Sequence, residues 1–259
     1  RRQRQMCIRD RHSIRANKGI IIIAIIVILV IIAITIFLFK KNQKSINGES
    51  IIEGIKIDQT KITSKKTERM LQLEELQKEN SDIIGYIEIA GTNISYPVLQ
   101  TTDNDFYMKK NYKKEYSKDG AIFLDKAYDF NKPSSNLLIY GHNNSNDQMF
   151  CELLKYEDEN FYNEHQTIRF TTNKEDAEYE IIAVFKSRVY YKSEKNVFRY
   201  YYFVDANNKE EFDEFVKSSK KASLYDTGKT AEYGDQLMTL STCSYHTEDG
   251  RFAVVARKK

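Results

Sequence analysis

The 259-residue chain has no Trp, two Pro, ten Gly and three Cys. With Cys7 in the basic leading segment, only Cys151 and Cys243 remain in the rest of the chain. Two thiols are too few for the disulfide framework on which small secreted domains depend. Stability must then come from a packed core, and 41% hydrophobic with 12% aromatic residues suffices for one. Scarce Pro and absent Trp beside abundant Ile, Lys, Asn and Tyr is the composition expected of an AT-rich genome. A basic excess is also missing once the first 44 residues are set aside. They hold ten Lys/Arg against the single Asp10, leaving 30 Lys/Arg against 36 Asp/Glu beyond them. That balance excludes nucleic acid as a partner. No internal repeat or long low-complexity segment is visible. No EF-hand spacing occurs, and Cys243 with His246 supplies at most two of the four ligands of a structural zinc, so neither metal nor other cofactor is expected.

What is present begins with "GIIIIAIIVILVIIAITIFLF", Gly19 to Phe39, in which Thr35 is the one polar side chain. At about 1.5 Å rise per residue such a helix crosses a hydrocarbon core of roughly 30 Å. A cleaved signal peptide has a shorter apolar region, about 7–15 residues, and a small-residue cleavage site, whereas this run meets "KKNQK". A single N-terminal transmembrane helix is expected. Seven Lys/Arg before it outnumber Lys40, Lys41 and Lys44 after it, which puts the N-terminus in the cytoplasm and everything after Lys40 outside the cell. The expected organisation is a cytoplasmic basic tail at 1–18, part of which reads as an artefact of assembly, an anchor at 19–39, a polar linker at 40–63 and a folded domain at 64–259.

The domain opens on "SKKTERMLQLEELQKEN", strong helix formers with apolar Met70, Leu71, Leu73 and Leu76. Eight runs rich in β-branched and aromatic residues come after it, divided by turn chemistry: "IIGYIEIA", "ISYPVLQ", "GAIFLD", "NLLIYGH", "TIRFTT", "YEIIAVFKSRV", "DQLMTLSTC" and "RFAVVARK". The clearest later helix is "NKEEFDEFVKSSKKA", with Phe212, Phe215 and Val216 on one face. Many short strands with few helices predict a mainly β fold, a closed or nearly closed barrel with peripheral helices.

A thiol attacks only as thiolate, so a catalytic Cys needs a cation or a His beside it. Cys151, in "DQMFCELLKY", has the apolar helix-like surroundings of an inert buried thiol. Cys243 instead ends one strand, and Arg251 opens the next after the turn signal "EDG". A hairpin would bring both to one end, where a guanidinium can stabilise an oxyanion. The plain alternative is an edge-strand Arg paired with Glu248 or Asp249. A disulfide between Cys151 and Cys243 is the plain alternative for the thiol. His12 lies on the cytoplasmic side and His165 reads as an exposed loop residue. His142, delivered past the end of an apolar strand by Gly141, is a candidate base or a His satisfying turn carbonyls. His246 is close to Cys243 in sequence but sits in a polar loop.

Taken together, "TLSTC", an Arg at the start of the following strand and a His in "YGHN" resemble the sortase family of Gram-positive surface transpeptidases. The resemblance covers about Thr67 to Lys259. The leading helix, "DNDFYM" and the helix before the penultimate strand look like class B. The resemblance implies an eight-stranded sortase-type β-barrel, with Cys243 as nucleophile, His142 as general acid/base and Arg251 as oxyanion or substrate-orienting residue. It also implies that Ser241, Asn104 and Met108 line the groove for a C-terminal sorting signal of a surface protein. That signal would be of the Asn-Pro-X-Thr or Ser/Pro-Pro-X-Thr kind, cut after Thr, with an amine of peptidoglycan, of its precursor or of another protein as acceptor. Two rivals stay open: a membrane-anchored cysteine endopeptidase using the same residues, and a non-catalytic extracellular β-barrel binding module in which Cys243 is a core residue.

Overall fold

Each of the eight runs rich in β-branched and aromatic residues forms a strand, and in the computed structural model all eight close on one another. The structure describes residues 66–259 except 133 and 145–146. The expected tail, anchor and linker lie outside the described residues, among which no helix is long and apolar enough to cross a membrane.

The strands are β1 (Ile83–Glu88), β2 (Ser95–Leu99), β3 (Ile122–Leu124), β4 (Asn136–Tyr140), β5 (Thr167–Thr171), β6 (Asp176–Arg188), β7 (Leu237–Cys243) and β8 (Gly250–Lys258). They form a closed barrel in the order β1-β2-β3-β4-β7-β8-β6-β5. Closure leaves no edge strand, so β8, which bears Arg251, is paired on both sides, to β6 and to β7. The edge-strand alternative for Arg251 is therefore overturned.

Two pairings bring the candidate residues to one end of the barrel. The β4–β7 pair is parallel, with Tyr140 level with Ser241. The β7–β8 pair is an antiparallel hairpin in which Cys243 stands directly opposite Arg251. Strands β4 and β7 thus run out at the same end, side by side, and β8 begins there. Ile139, Leu240, Val254 and Val184 stand level with one another on four neighbouring strands and are inaccessible to solvent within the main buried cluster.

Among the described residues three α-helices lie outside the barrel: α1 (Glu68–Glu79), α2 (Glu159–Glu164) and α3 (Lys209–Ala222). Thr67 caps α1 by accepting from the Met70 N–H, and Leu73 and Leu76 of the helix bury against Ile83, Tyr86, Leu99, Tyr107 and Phe123. Burying each leucine stabilises this packing by roughly 1.5–3 kcal/mol. In α3 the Asn208 side chain accepts from Glu211 N–H, acidic residues occupy the first turn and lysines the last, as the helix dipole favours. Its Phe212, Phe215 and Val216 are buried as the periodicity predicts, with Phe215 stacked on Phe203 at 4.0 Å between centroids. The segment of Cys151 is a 3-10 helix, Cys151–Glu157. Cys151 itself is half-buried rather than buried, and its Sγ accepts from the Asn144 N–H. Cys243 carries a free thiol, which removes its disulfide with Cys151.

Candidate active site

The parallel β4–β7 pair continues past its last ladder pairing. Gly141 N–H donates to the Ser241 carbonyl, Thr242 Oγ1 donates to the Gly141 carbonyl at 2.7 Å, and the Asn143 amide donates to the Cys243 carbonyl at 3.0 Å. These three bonds stitch the segment of His142 to the segment of Cys243. A turn is the expected role of Gly141. Its φ is not in the left-handed region, however, and what it supplies is room: a Cβ there would come within 2.4 Å of Ile122 Cδ1 and 2.7 Å of the Phe150 ring.

All six residues singled out by the sequence meet in one cavity of about 310 Å³. Cys243, His142, Arg251, Ser241, Asn104 and Met108 line it, together with Asp105, Phe123, Tyr140, Gly141 and Thr242. The thiol, imidazole and guanidinium residues are each half-buried. Arg251 Nη1 donates to the carbonyls of Gly250 at 2.9 Å and Asp249 at 3.3 Å, so the backbone of the hairpin holds the guanidinium, not the carboxylates of Glu248 or Asp249. His246 is not part of this cavity, and its Nδ1 is engaged with Ser244 Oγ at 2.9 Å. His165 rests on the Phe161 ring and bonds the Ala90 carbonyl.

Around this cavity runs a polar frame that the sequence pattern does not announce. Asp125, 7% exposed, accepts from the Tyr140 hydroxyl and from the Asn104 amide, each at 2.9 Å, and from the Ala127 N–H at 2.8 Å. The other end of the Asn104 amide, Oδ1, accepts from the Lys126 N–H, so both ends of this side chain are fixed. Burial, and then the Asp125 carboxylate, push the Tyr140 phenol well above its ordinary range, which keeps it a hydrogen-bond donor. Tyr200 and Ser241 share a 2.7 Å hydroxyl contact beneath the cavity, and burial pushes the Tyr200 phenol up to about 12. Tyr140 lies two residues before His142 on "LLIYGH", where period-2 alternation could have flagged it. Asp125 had no local signal, because its partners come from distant segments.

A thiol, an imidazole and a guanidinium converging on one partly enclosed cavity, with hydroxyl and amide groups fixed around it, is the equipment for nucleophilic acyl transfer through cysteine. No group of acidic, His and Cys side chains among the described residues could hold a metal ion.

The sortase domain profile matches residues 87–259. Sortase B of Listeria monocytogenes is 33% identical over 185 residues, covering 71% of this chain and 72% of that protein. The X-ray structure of Clostridium perfringens sortase B superposes with a TM-score of 0.63 at 30% identity, covering 72% of this chain and 98% of that one. A Staphylococcus aureus sortase B–substrate complex gives a TM-score of 0.70 at 26% identity, covering 85% and 98%. The chain belongs to the sortase family, within its class B, and is a cysteine transpeptidase.

Proposed function

We propose that Cys243, His142 and Arg251 carry the transpeptidation. The observation that carries this reading is the strand register, which puts Cys243 opposite Arg251 and ends β7 beside the strand that delivers His142. The Cys243 thiolate attacks the carbonyl carbon of the Thr in a sorting signal, and the electron pair of the carbonyl moves to oxygen. Arg251 stabilises that oxyanion with the N–H groups not taken by the hairpin carbonyls. As the C–N bond breaks, protonated His142 gives its proton to the departing amine, leaving a thioester. An acceptor amine then attacks the thioester carbonyl, His142 takes the proton from it, and the thiolate leaves as the new amide forms.

Asn104, Met108 and Ser241 line the cavity and are assigned to the sorting signal. Fixing of the Asn104 amide at both ends supports its use as a reader of backbone amides in an extended peptide. The connection from β6 to β7 that contains α3 is assigned to one wall of the groove, reading an Asn-Pro-X-Thr or Ser/Pro-Pro-X-Thr motif. The acceptor is assigned to a peptidoglycan, precursor or protein amine. Residues 19–39 anchor the enzyme with its N-terminus in the cytoplasm and its catalytic domain outside, a reading supported by the uncharged run and the Lys/Arg bias.

The test is mass spectrometry of the full-length chain in detergent with sorting-signal peptides, with and without added amine. A mass increase on Cys243 equal to the peptide up to Thr, and an amide product that appears only with amine, is the expected result. Hydrolysed peptide at equal rate with and without amine would replace transpeptidation by proteolysis. Partition of the full chain into water without detergent would remove the anchor.

A further inference from the structure

The His142 ring makes one bond to the protein through a nitrogen: Nε2 lies 2.7 Å from the Met108 carbonyl oxygen. A carbonyl oxygen only accepts, so Nε2 carries a proton whenever this contact is made. In the neutral imidazole, Nδ1 is then the bare nitrogen, and in the imidazolium it is the one whose proton is free to leave.

The contact depends on a gap. Gly120, two residues before the start of β3, has φ +60°. A Cβ at this position would stand 2.6 Å from the Tyr107 carbonyl oxygen, 2.8 Å from the Met108 carbonyl oxygen and 2.9 Å from Cδ2 of His142. Cδ2 is the ring carbon next to Nε2, so the missing side chain leaves open the very space where the carbonyl meets the ring. Two of these three neighbours are backbone atoms that cannot swing aside. The turn bearing them is held from below: the Ala121 N–H donates to the Tyr107 carbonyl, Asn80 Nδ2 donates to the Tyr107 hydroxyl at 2.8 Å, and that hydroxyl donates to Asp82 Oδ2 at 2.8 Å. Asn80 is the C-terminal cap of α1. The helix that leads into the domain therefore helps place the carbonyl that holds the histidine.

We propose that Gly120 is a positioning residue for the acid–base step, leaving room for the Met108 carbonyl to hold Nε2–H of His142 so that Nδ1 is the atom that gives a proton to the leaving amine and takes one from the acceptor. This rests on the assignment of His142 as the acid/base and names which of its atoms acts. In the first half-reaction the Nδ1–H bond breaks as the proton passes to the nitrogen of the departing amine. In the second that bond re-forms with a proton from the attacking amine, while Nε2–H stays on the carbonyl throughout.

The chain contains four histidines, so the full-length protein labelled with ¹⁵N at histidine gives a resolvable two-bond proton–nitrogen NMR spectrum. The His142 signals are identified by their loss in His142→Ala. In the neutral ring the expected pattern is the Nε2–H tautomer alone, with Nδ1 unprotonated. An Nδ1–H tautomer in the wild-type protein overturns the proposal, and needs no variant to do so. Gly120→Ala, checked for folding by thermal melting, is expected to mix the tautomers and slow acylation about tenfold or more, part of the 10²–10⁴ that acid–base catalysis supplies, with KM for the peptide little changed. A folded Gly120→Ala protein with the wild-type tautomer and acylation within about twofold of wild type on that same scale also overturns it. Acylation that survives His142→Ala is a different failure: it removes His142 from the chemistry and leaves the tautomer result standing.

Discussion

Replacing Asp125 separates the frame of the cavity from its chemistry. Asp125→Ala leaves the Tyr140 hydroxyl, the Asn104 amide and the Ala127 N–H without their acceptor. A hydrogen bond to a charged group is worth roughly 1.5–3 kcal/mol, and a buried donor left unpaired costs roughly 1–3 kcal/mol. Ala127 is exposed, so water replaces what its N–H loses, and most of the cost falls on the half-buried Tyr140 phenol and Asn104 amide. A destabilisation of roughly 2–4 kcal/mol results. For a domain of this size that is a fall in Tm of roughly 4–16 °C. Asp125→Asn keeps the shape and one oxygen but turns an N–H₂ toward its partners. The Tyr140 hydroxyl can rotate to accept from it, whereas Asn104 Nδ2 can only donate and must flip. The Asn variant should therefore lose about 1 kcal/mol or less in stability, yet raise KM for the sorting peptide as Asn104 turns. Thermal melting with acylation kinetics measures both. An Asp125→Ala protein melting within about 1 °C of wild type and binding peptide equally well would refute the reasoning.

The two candidate bases are separated by His142→Ala, expected to abolish thioester formation nearly as fully as Cys243→Ala, against His246→Ala, expected to be mild because its ring is engaged with Ser244 away from the cavity; the mass of the acyl-enzyme reads all three. Arg251→Lys keeps the charge but loses the planar fork, so it should recover only part of the wild-type acylation rate, and full recovery would reduce the guanidinium to a field effect. Burial of Glu180 opposes its ionisation, but Arg257 and Lys229 outweigh this and hold its carboxyl below the ordinary 4.5. Because the folded-state value is depressed, its stabilising contribution is present above about 4.5 and is lost as pH falls through the lower value. In denaturant titrations Glu180→Gln should accordingly lose stability near neutrality and converge on wild type in acid. A constant gap at all pH values would assign the effect to packing.

Strand existence was legible in the sequence wherever β-branched and aromatic residues cluster between turn signals, as in "YEIIAVFKSRV", and so was the apolar face of α3. Pairing was not. That Cys243 and Arg251 share an end is implied by a short hairpin, but that they stand directly opposite depends on register set along the whole β7–β8 ladder. The parallel neighbour of β7 lies about a hundred residues earlier in the chain, and no local pattern names it. Asp125 shows the same limit from the side of the polar groups, since an acidic residue after "IFL" reads as a strand end and only the folded chain brings Asn104 and Tyr140 to it. Gly141 was legible as important but for another reason, because crowding by Ile122 and Phe150 is a tertiary fact.

The parallel β4–β7 pairing also has a kinetic meaning. Joining Asn136 to Leu237 closes a loop of about a hundred residues, the kind of long-range step that slows folding and comes only after shorter-range structure has offset part of its entropy. The thiol and the imidazole therefore have no shared location in a nascent or partly folded chain. Under the proposed topology the chain emerges residue by residue on the far side of a membrane, and it meets its first opportunity to acylate only when its last two strands have docked. Reactivity then arrives together with completion, and unfinished copies carry nothing more than an ordinary cysteine.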